Sequence, residues 1–128
     1  DSGKQTVIRF EEGLIGFSSS KNFVLTESES IAPFRVLRST DNPDLAFLVL
    51  DPSIVVKDYS HLISSRDWES VQAEDPAEQG VLAVCTVSSK PSDSRGNFQA
   101  PIIFNRRKMI GRQVILVESG LSARHPLL

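Results

Sequence analysis

Apolar residues in this chain occur in short runs that are separated by glycine, proline and small polar residues. Within several runs the apolar positions alternate with polar ones, which is the period of an extended strand. This pattern predicts an all-β (mainly β) domain built from many short strands. The predicted strands are residues 5–10, 22–26, 34–39, 45–50, 81–87, 101–104 and 113–117.

Two of these runs, 45–50 and 81–87, are apolar at almost every position. A strand of this composition is covered on both faces, because alternation disappears when neither face meets water. The two runs are therefore predicted to be the most buried strands. Cys85, inside the second run, is predicted to be a small buried hydrophobic residue, and as the single cysteine it cannot form an internal disulfide.

One segment interrupts the strand pattern and predicts a short helix near residues 64–73. Ser64 is a suitable N-cap, and Asp67 three positions later gives a weak variant of the capping box. Trp68 and Val71 are three residues apart, so a helix places both on one narrow apolar face. We expect this face to lie against the sheet.

Composition limits the classes of protein to which the chain can belong. Its 128 residues are enough for one domain with its own hydrophobic core, and 1–128 is interpreted as a single domain. The net charge of −2 argues against general binding to nucleic acid or anionic membranes, which requires excess cations. No apolar run approaches the roughly 20 residues of a membrane span, and the polar residues 1–6 do not resemble a signal peptide. A cytoplasmic location is the resulting expectation.

Groups suited to catalysis or metal binding are few. Cys85, His61 and His125 are too widely spaced in sequence to indicate a zinc site. No GxSxG motif presents a serine nucleophile, and the adjacent carboxylates Glu11 and Glu12 point to opposite faces of an extended segment. We therefore expect no catalytic residue, no cofactor and no metal, and we interpret the chain as a non-enzyme.

Acidic residues are concentrated in and after the predicted helix, where no basic residue follows Arg66 to balance them. The simplest interpretation is a solvated helix and loop. The alternative is a negative patch that faces a basic partner. The acidic residues concerned are Asp67, Glu69, Glu74, Asp75 and Glu78.

Basic residues are concentrated in the polar stretch 105–112, between the predicted strands 101–104 and 113–117. This arrangement predicts a hairpin with a long polar turn. These cations either belong to a solvated turn or contact an acidic or phosphate-bearing partner. No aromatic residue lies among them to stack on a base. The basic residues are Arg106, Arg107, Lys108 and Arg112.

Distinctive short motifs are spread in order along the chain. They are FEEGLIGF (10–17), PDLAFLVLDP (43–52), DY (58–59), NFQAPIIFN (97–105), GRQVIL (111–116) and RHPL (124–127). Together these motifs resemble the flagellar assembly factor family, FliW, over nearly the whole chain. Three positions depart from the family pattern: Glu11 replaces the usual proline, Arg95 stands where threonine is common, and Leu121 stands where an aromatic residue is common.

The resemblance implies a compact antiparallel β-barrel or roll, monomeric when isolated, with the short helix near 64–73 against it. It also implies binding to flagellin in the cytoplasm and, when flagellin is absent, binding to the translational regulator CsrA, whose repression of flagellin mRNA is thereby antagonised. The residues expected to bind partners are Asp67, Glu69, Glu74, Asp75, Glu78, Asn97, Asn105, Arg106, Arg107, Arg124 and His125.

Two other functions remain open at the level of sequence. The first is a small RNA-binding β-barrel that uses the basic turn at 106–112, which a salt-dependent gel shift would detect. The second is a hydrolase or lyase, which requires a pocket that brings His61 or His125 near a carboxylate and a serine.

Overall fold

The computed structural model describes residues 4–128 and consists almost entirely of strands and turns. The only α-helix in the described chain, α1, spans Ser65–Ser70, and short 3-10 turns occupy Pro52–Ile54, Tyr59–Leu62, Pro76–Glu78 and Pro91–Asp93. The strands are β1 (Lys4–Phe10), β2 (Asn22–Glu27), β3 (Arg35–Ser39), β4 (Ala46–Leu50), β5 (Gln79–Thr86), β6 (Arg95–Gly96), β7 (Ile102–Asn105), β8 (Ile110–Gln113) and β9 (His125–Pro126).

Seven strands form a closed barrel in the order β4-β3-β2-β1-β8-β7-β5, and pairing of β4 with β5 completes the ring. The strands β6 and β9 extend the sheet beyond β5. The predicted all-β barrel is therefore confirmed. One pairing departs from the antiparallel expectation, because β1 and β8 run parallel over a short register in which Arg9 faces Ile110 and Phe10 faces Gly111.

The barrel interior is filled by side chains that alternate inward along its strands. Phe10 and Phe23 meet edge to face in this core, with ring centroids 5.5 Å apart. Gly111 has no side chain because a Cβ atom there would lie 2.5 Å from the Phe10 ring. The buried residues of this inner core are Ile8, Phe10, Leu14, Phe23, Leu25, Leu37, Val49, Leu82, Ile102 and Phe104.

A second core lies on the outer face of β5 and β7, where α1 and the loops around it cover the barrel. Alternation along β5 divides its residues between the two cores, since Leu82 points inward whereas Val81 and Ala83 point outward. Burial on both faces explains the apolar run over 81–85, so the prediction is confirmed for these residues, whereas Thr86 and Val87 at the end of the run are exposed. The outer core comprises Tyr59, Ile63, Trp68, Val71, Ala73, Val81, Ala83, Phe98, Ile103, Val114 and Leu116.

The same prediction is wrong for much of β4. Val49 and Leu50 are buried, but Phe47 and Leu48 are only half-buried and Ala46 is exposed. Leu50 shows that the outer face of β4 is covered at one end, but the cover does not extend along the strand to Ala46, and Val7 on β1 is 53% exposed. The apolar run 45–50 therefore predicted a strand correctly, but it did not predict how much of that strand is exposed.

The hairpin of β7 and β8 has a shorter turn than the sequence predicts. The turn spans 106–109, because β8 already begins at Ile110 inside the polar stretch. After Gln113 the chain continues alongside residues 99–101, which precede β7. The Val114 N–H donates to Pro101 O at 3.0 Å and the Leu116 N–H donates to Gln99 O at 2.7 Å. Residues 114–117, predicted as strand, are thus an irregular continuation of β8.

Cys85 lies in β5 with 8% of its surface exposed, as expected for a small buried residue. Burial raises the pKa of its thiol to about 11, from a usual value of 9.0. We expect no reaction with Ellman's reagent at pH 8 in the folded protein and one equivalent in denaturant, since the thiolate is the reactive form. The raised pKa also predicts that stability falls as pH rises from about 9 through about 11, because the unfolded chain ionises first. Rapid labelling of the folded protein at pH 8 would contradict this assignment.

Candidate protein-binding surface

The helix α1 is placed by its N-cap and by two buried side chains. The Ser64 hydroxyl accepts a hydrogen bond from the Asp67 N–H at 3.1 Å, which confirms the predicted cap. Trp68 and Val71 are buried in the outer core. The helix ends earlier than predicted, because Gln72 takes a left-handed conformation with φ of 59°. The acidic side chains of α1 therefore lie on the face turned away from the barrel.

Asn105 joins the end of this helix to the basic turn. Its side-chain amide donates to Val71 O at 3.1 Å and to Gln72 O at 2.9 Å. Its side-chain oxygen accepts from the N–H groups of Arg107 and Lys108, each at 2.9 Å. Asn105 is 0% exposed, so a partner cannot touch it in this fold. Its placement among the partner-binding residues is corrected: it organises the surface from below.

The acidic and basic segments consequently form one surface, here named the helix–turn surface, made of α1, residues 74–78 and residues 106–108. Arg107 forms an ion pair with Glu78 at 3.5 Å, and the Lys108 ammonium donates to Gln72 Oε1 at 2.6 Å. The Arg106 Nε–H donates to the Gln79 carbonyl at 2.8 Å. The sequence alone treats the two charge clusters as separate patches, and the structure places them in contact.

Two of the five acidic side chains therefore have a partner within the protein, although the sequence shows no nearby basic residue that balances their charge. Glu78 is paired with Arg107, and the Asp75 carboxylate accepts from the Ala77 N–H at 3.0 Å, where it caps a turn. The remaining carboxylates are those of Asp67, Glu69 and Glu74, and none forms an ion pair within residues 4–128. These three negative charges are available to a partner.

Arg112 marks the border of the helix–turn surface. It lines a shallow depression with Arg66, Asp67, Glu69 and Ser70 of the helix region. On its other side its guanidinium lies 3.3 Å from the Glu12 carboxylate in an exposed ion pair. The basic residue thus connects the acidic face of α1 with the loop that follows β1.

The other predicted partner-binding residues lie apart from this surface, beside β6 and β9. The Asn97 side chain accepts from the N–H groups of Gln99 and Ala100 at 3.2 and 3.0 Å, so it closes a turn. The His125 ring stacks on Phe98 with centroids 4.7 Å apart. Arg124 is exposed. Asn97 and His125 hold the C-terminal segment in place, and only Arg124 is fully open to a partner.

Three observations on the described chain concern metal ligands, a groove and helix length. Within residues 4–128, no three His, Cys, Asp or Glu side chains are grouped so as to hold a metal ion. An open groove at one mouth of the barrel is lined by cations, carboxylates and apolar residues but contains no histidine. No helix of residues 4–128 is long and apolar enough to cross a membrane.

The motif glycines have conformational roles. Gly13 has φ of 67°, and a Cβ atom there would lie 2.6 Å from the Ser18 backbone, so only glycine fits. Gly16 also has positive φ, at 85°. Both match the bend expected from the sequence. The FEEGLIGF segment is thus distinctive because it folds tightly against the barrel.

Sequence reasoning missed Gln72 as a member of the helix–turn surface. Its left-handed conformation places its side chain beside Lys108, and its carbonyl accepts from Asn105. Glutamine has no preference for this conformation, so no local signal marks the residue.

Comparison with known proteins identifies relatives over nearly the entire chain. The family model described as FliW protein matches residues 1–127. The flagellar assembly factor FliW of Bacillus licheniformis is 36% identical over 123 residues, which cover 96% of this chain and 85% of that protein. FliW of Leptospira interrogans is 35% identical over 126 residues, covering 98% of this chain and 84% of that protein.

A solved structure shares the fold. The crystal structure of a flagellar assembly factor FliW superimposes with a TM-score of 0.86 at 32% sequence identity, covering 95% of this chain and 85% of that chain.

Proposed function

The chain belongs to the FliW family of flagellar assembly factors, and from this premise we propose that it is a partner-exchange protein without catalytic activity. Its proposed partners are flagellin and, in the absence of flagellin, a CsrA-type translational regulator whose repression of flagellin mRNA it relieves. The observation that carries the proposal is the helix–turn surface. This surface is exposed, held from below by Asn105, and presents three unpaired carboxylates.

The charges of this surface favour a basic partner. A protein that binds RNA has a basic surface, and an acidic face that docks beside it gains attraction to that surface. The same carboxylates repel the phosphates of the RNA. Repulsion remains effective within a Debye length of about 8 Å in physiological salt, so binding next to the RNA site is sufficient to weaken RNA binding.

The alternative of direct RNA binding is less well supported. Arg106 and Arg107 of the basic turn are engaged with Gln79 and Glu78, and carboxylates lie beside them. A phosphate backbone would meet both signs of charge at this turn. A gel shift by the protein alone, weakening with salt, would favour the alternative.

The first test removes the negative charge of the helix–turn surface. Asp67, Glu69, Glu74, Asp75 and Glu78 are replaced together by their amides. We expect that about 10-fold more of the variant is needed to release RNA from the regulator. The reason is that the lost attraction to the regulator and the lost repulsion of RNA phosphates together amount to roughly 1–3 kcal/mol. The salt dependence of release should also decrease. Asparagine at 75 can still cap its turn, which limits any structural effect.

A matched control makes the same change in net charge elsewhere. Five exposed or half-exposed carboxylates away from this surface are replaced by amides: Glu11, Glu27, Glu29, Asp44 and Asp93. Release of RNA by this control should stay close to that of the parent protein. Equal behaviour of the two amide variants at low and moderate salt would contradict a local electrostatic role.

Co-elution from a sizing column tests the two partners directly. The protein should elute with unassembled flagellin and with the regulator in separate runs, and flagellin should displace the regulator in a mixture. Absence of both complexes at micromolar concentrations would overturn the proposed function.

A further inference from the structure

Residues 113–117 form an open edge of the sheet. The N–H groups of Val114 and Leu116 donate toward residues 99–101. In an antiparallel pair the backbone groups of alternate residues point to opposite sides, so those of Ile115 and Val117 point away from that partner. No hydrogen bond within residues 4–128 uses the N–H or carbonyl of Ile115 or Val117.

The edge is open because β1 ends too early to cover it. The register of β1 on β8 stops where Phe10 faces Gly111, after which β1 turns into the loop 11–17. That loop reaches residues 113–117 through one side-chain hydrogen bond, in which the Ile15 N–H donates to Gln113 Oε1 at 2.9 Å, and the Glu12–Arg112 ion pair lies just before them at 3.3 Å. No backbone of the loop pairs with residues 115–117.

The side chains along this edge are apolar and exposed. Ile115 is 60% exposed and Val117 is 81% exposed. Ile15, adjacent to Gln113, is 55% exposed. Exposed edges are normally protected by charges, proline or a bulge, because free backbone groups pair with any available strand. Residues 113–117 contain none of these charged or proline residues.

The chemistry of this edge specifies the shape of its occupant. Free N–H and carbonyl groups on alternate residues are satisfied by an extended segment, whereas a helix has its backbone groups already paired. The exposed isoleucine and valine require apolar side chains at alternate positions of that segment. Glu118, which follows with φ of 62° and forms no ion pair within residues 4–128, favours a lysine or arginine at one end.

We propose that the edge 113–117, together with Ile15, binds an extended apolar segment of unassembled flagellin by addition of a β-strand. This inference rests on the proposed function, which supplies flagellin as a partner. A subunit that has not yet assembled has chain segments whose backbone groups are not yet paired, and such a segment can complete this edge.

The position of the edge also accounts for exchange between partners. Arg112 directly precedes the edge and lines the depression beside Asp67 and Glu69 on the helix–turn surface. The two surfaces therefore meet at one residue. A flagellin segment seated on the edge occupies space next to the acidic face, so a regulator docked there is displaced.

The test measures the affinity of purified monomeric flagellin for the wild-type protein and two variants. Ile115→Pro removes the free N–H while keeping Val114 and Leu116 in the core, and it breaks no hydrogen bond of the described chain. Val117→Lys places a charge on the edge. We expect each variant to bind flagellin at least about 10-fold more weakly, a change of about 1.4 kcal/mol. Ile54→Lys, at a site also 60% exposed, is the matched control and should bind like the wild type.

Hydrogen exchange supplies a second measurement that does not depend on a variant. Flagellin should slow exchange of the Ile115 and Val117 amides, which are unprotected in the free protein. Unchanged exchange at both amides in the complex would overturn the proposal. If Ile115→Pro fails to fold, this measurement and the Val117→Lys variant still test whether flagellin binds at the edge.

The outcomes distinguish an error in the proposed function from an error in the edge as the binding site. Failure of the wild-type protein to bind flagellin overturns the proposed function and this inference together. Normal binding by folded Ile115→Pro and Val117→Lys overturns only the edge as the site. Weakening by Val117→Lys alone, with Ile115→Pro unaffected, indicates apolar contact without strand addition and contradicts the proposal.

Discussion

Replacement of Leu82 by aspartate is expected to abolish folding at ordinary temperature. Leu82 is 0% exposed and lies in the inner core of the barrel. The neighbouring side chains of this core are apolar, so the new carboxylate would be buried without a partner. The expected cost is about 4 kcal/mol or more, a large part of the roughly 5–15 kcal/mol that stabilises a small domain. Thermal unfolding followed by circular dichroism measures the effect.

Val7→Asp provides a matched control for this substitution. Val7 also lies in a barrel strand, but its side chain points outward and is 53% exposed. The aspartate there remains hydrated, and the expected cost is within about 1 kcal/mol, the span of strand propensities. A soluble and cooperatively unfolding Leu82→Asp protein, with a melting temperature near that of Val7→Asp, would show that the inner core is assigned incorrectly.

Replacement of Asn105 by leucine is expected to have the second-largest effect. Leucine fills a similar volume but leaves four backbone groups without their side-chain partners, in Val71, Gln72, Arg107 and Lys108. Three of these bonds are only partly buried, so water can replace some of them, and the total cost is expected to be about 2–4 kcal/mol. The melting temperature should fall by about 10 °C. Regulator binding should weaken as well, because α1 and the basic turn lose their common support.

Asn97→Ala is the control for Asn105→Leu. Asn97 also accepts two backbone hydrogen bonds, but it lies in the turn before β7, away from the helix–turn surface. Its loss should cost about 1 kcal/mol and leave regulator binding unchanged. Equal effects of the two substitutions on regulator binding would contradict the organising role of Asn105.

The strands and the helix cap are features that local sequence predicted well. A side chain in a strand faces one side or the other according to its position alone, so alternation in 5–10 and 22–26 was sufficient to predict β1 and β2. The Ser64 cap is equally local, because the hydroxyl and the Asp67 N–H that it accepts from are three residues apart. Motif resemblance added the barrel and the family, both confirmed by the closed sheet and by the relatives.

Burial on the second face of a strand was not predictable in the same way. The runs 45–50 and 81–87 look alike in sequence, yet α1 and its loops cover the outer face of β5, whereas on β4 Leu50 is buried, Leu48 is half-buried and Ala46 is exposed. Which strand receives the helix depends on how the segment 52–73 crosses the barrel. That path is a property of the whole packing arrangement.

The sequence by itself determined which segments extend, where the helix begins, where the chain must bend at Gly13, and to which family the chain belongs. Each of these depends on neighbouring residues or on motifs that can be read in order. Only the tertiary structure decided that Asn105 joins the basic turn to the end of α1, more than 30 residues earlier, and that β1 stops short of Ile115. Both features arise when the barrel closes, because closure alone fixes which distant backbone groups meet and which stay unpaired.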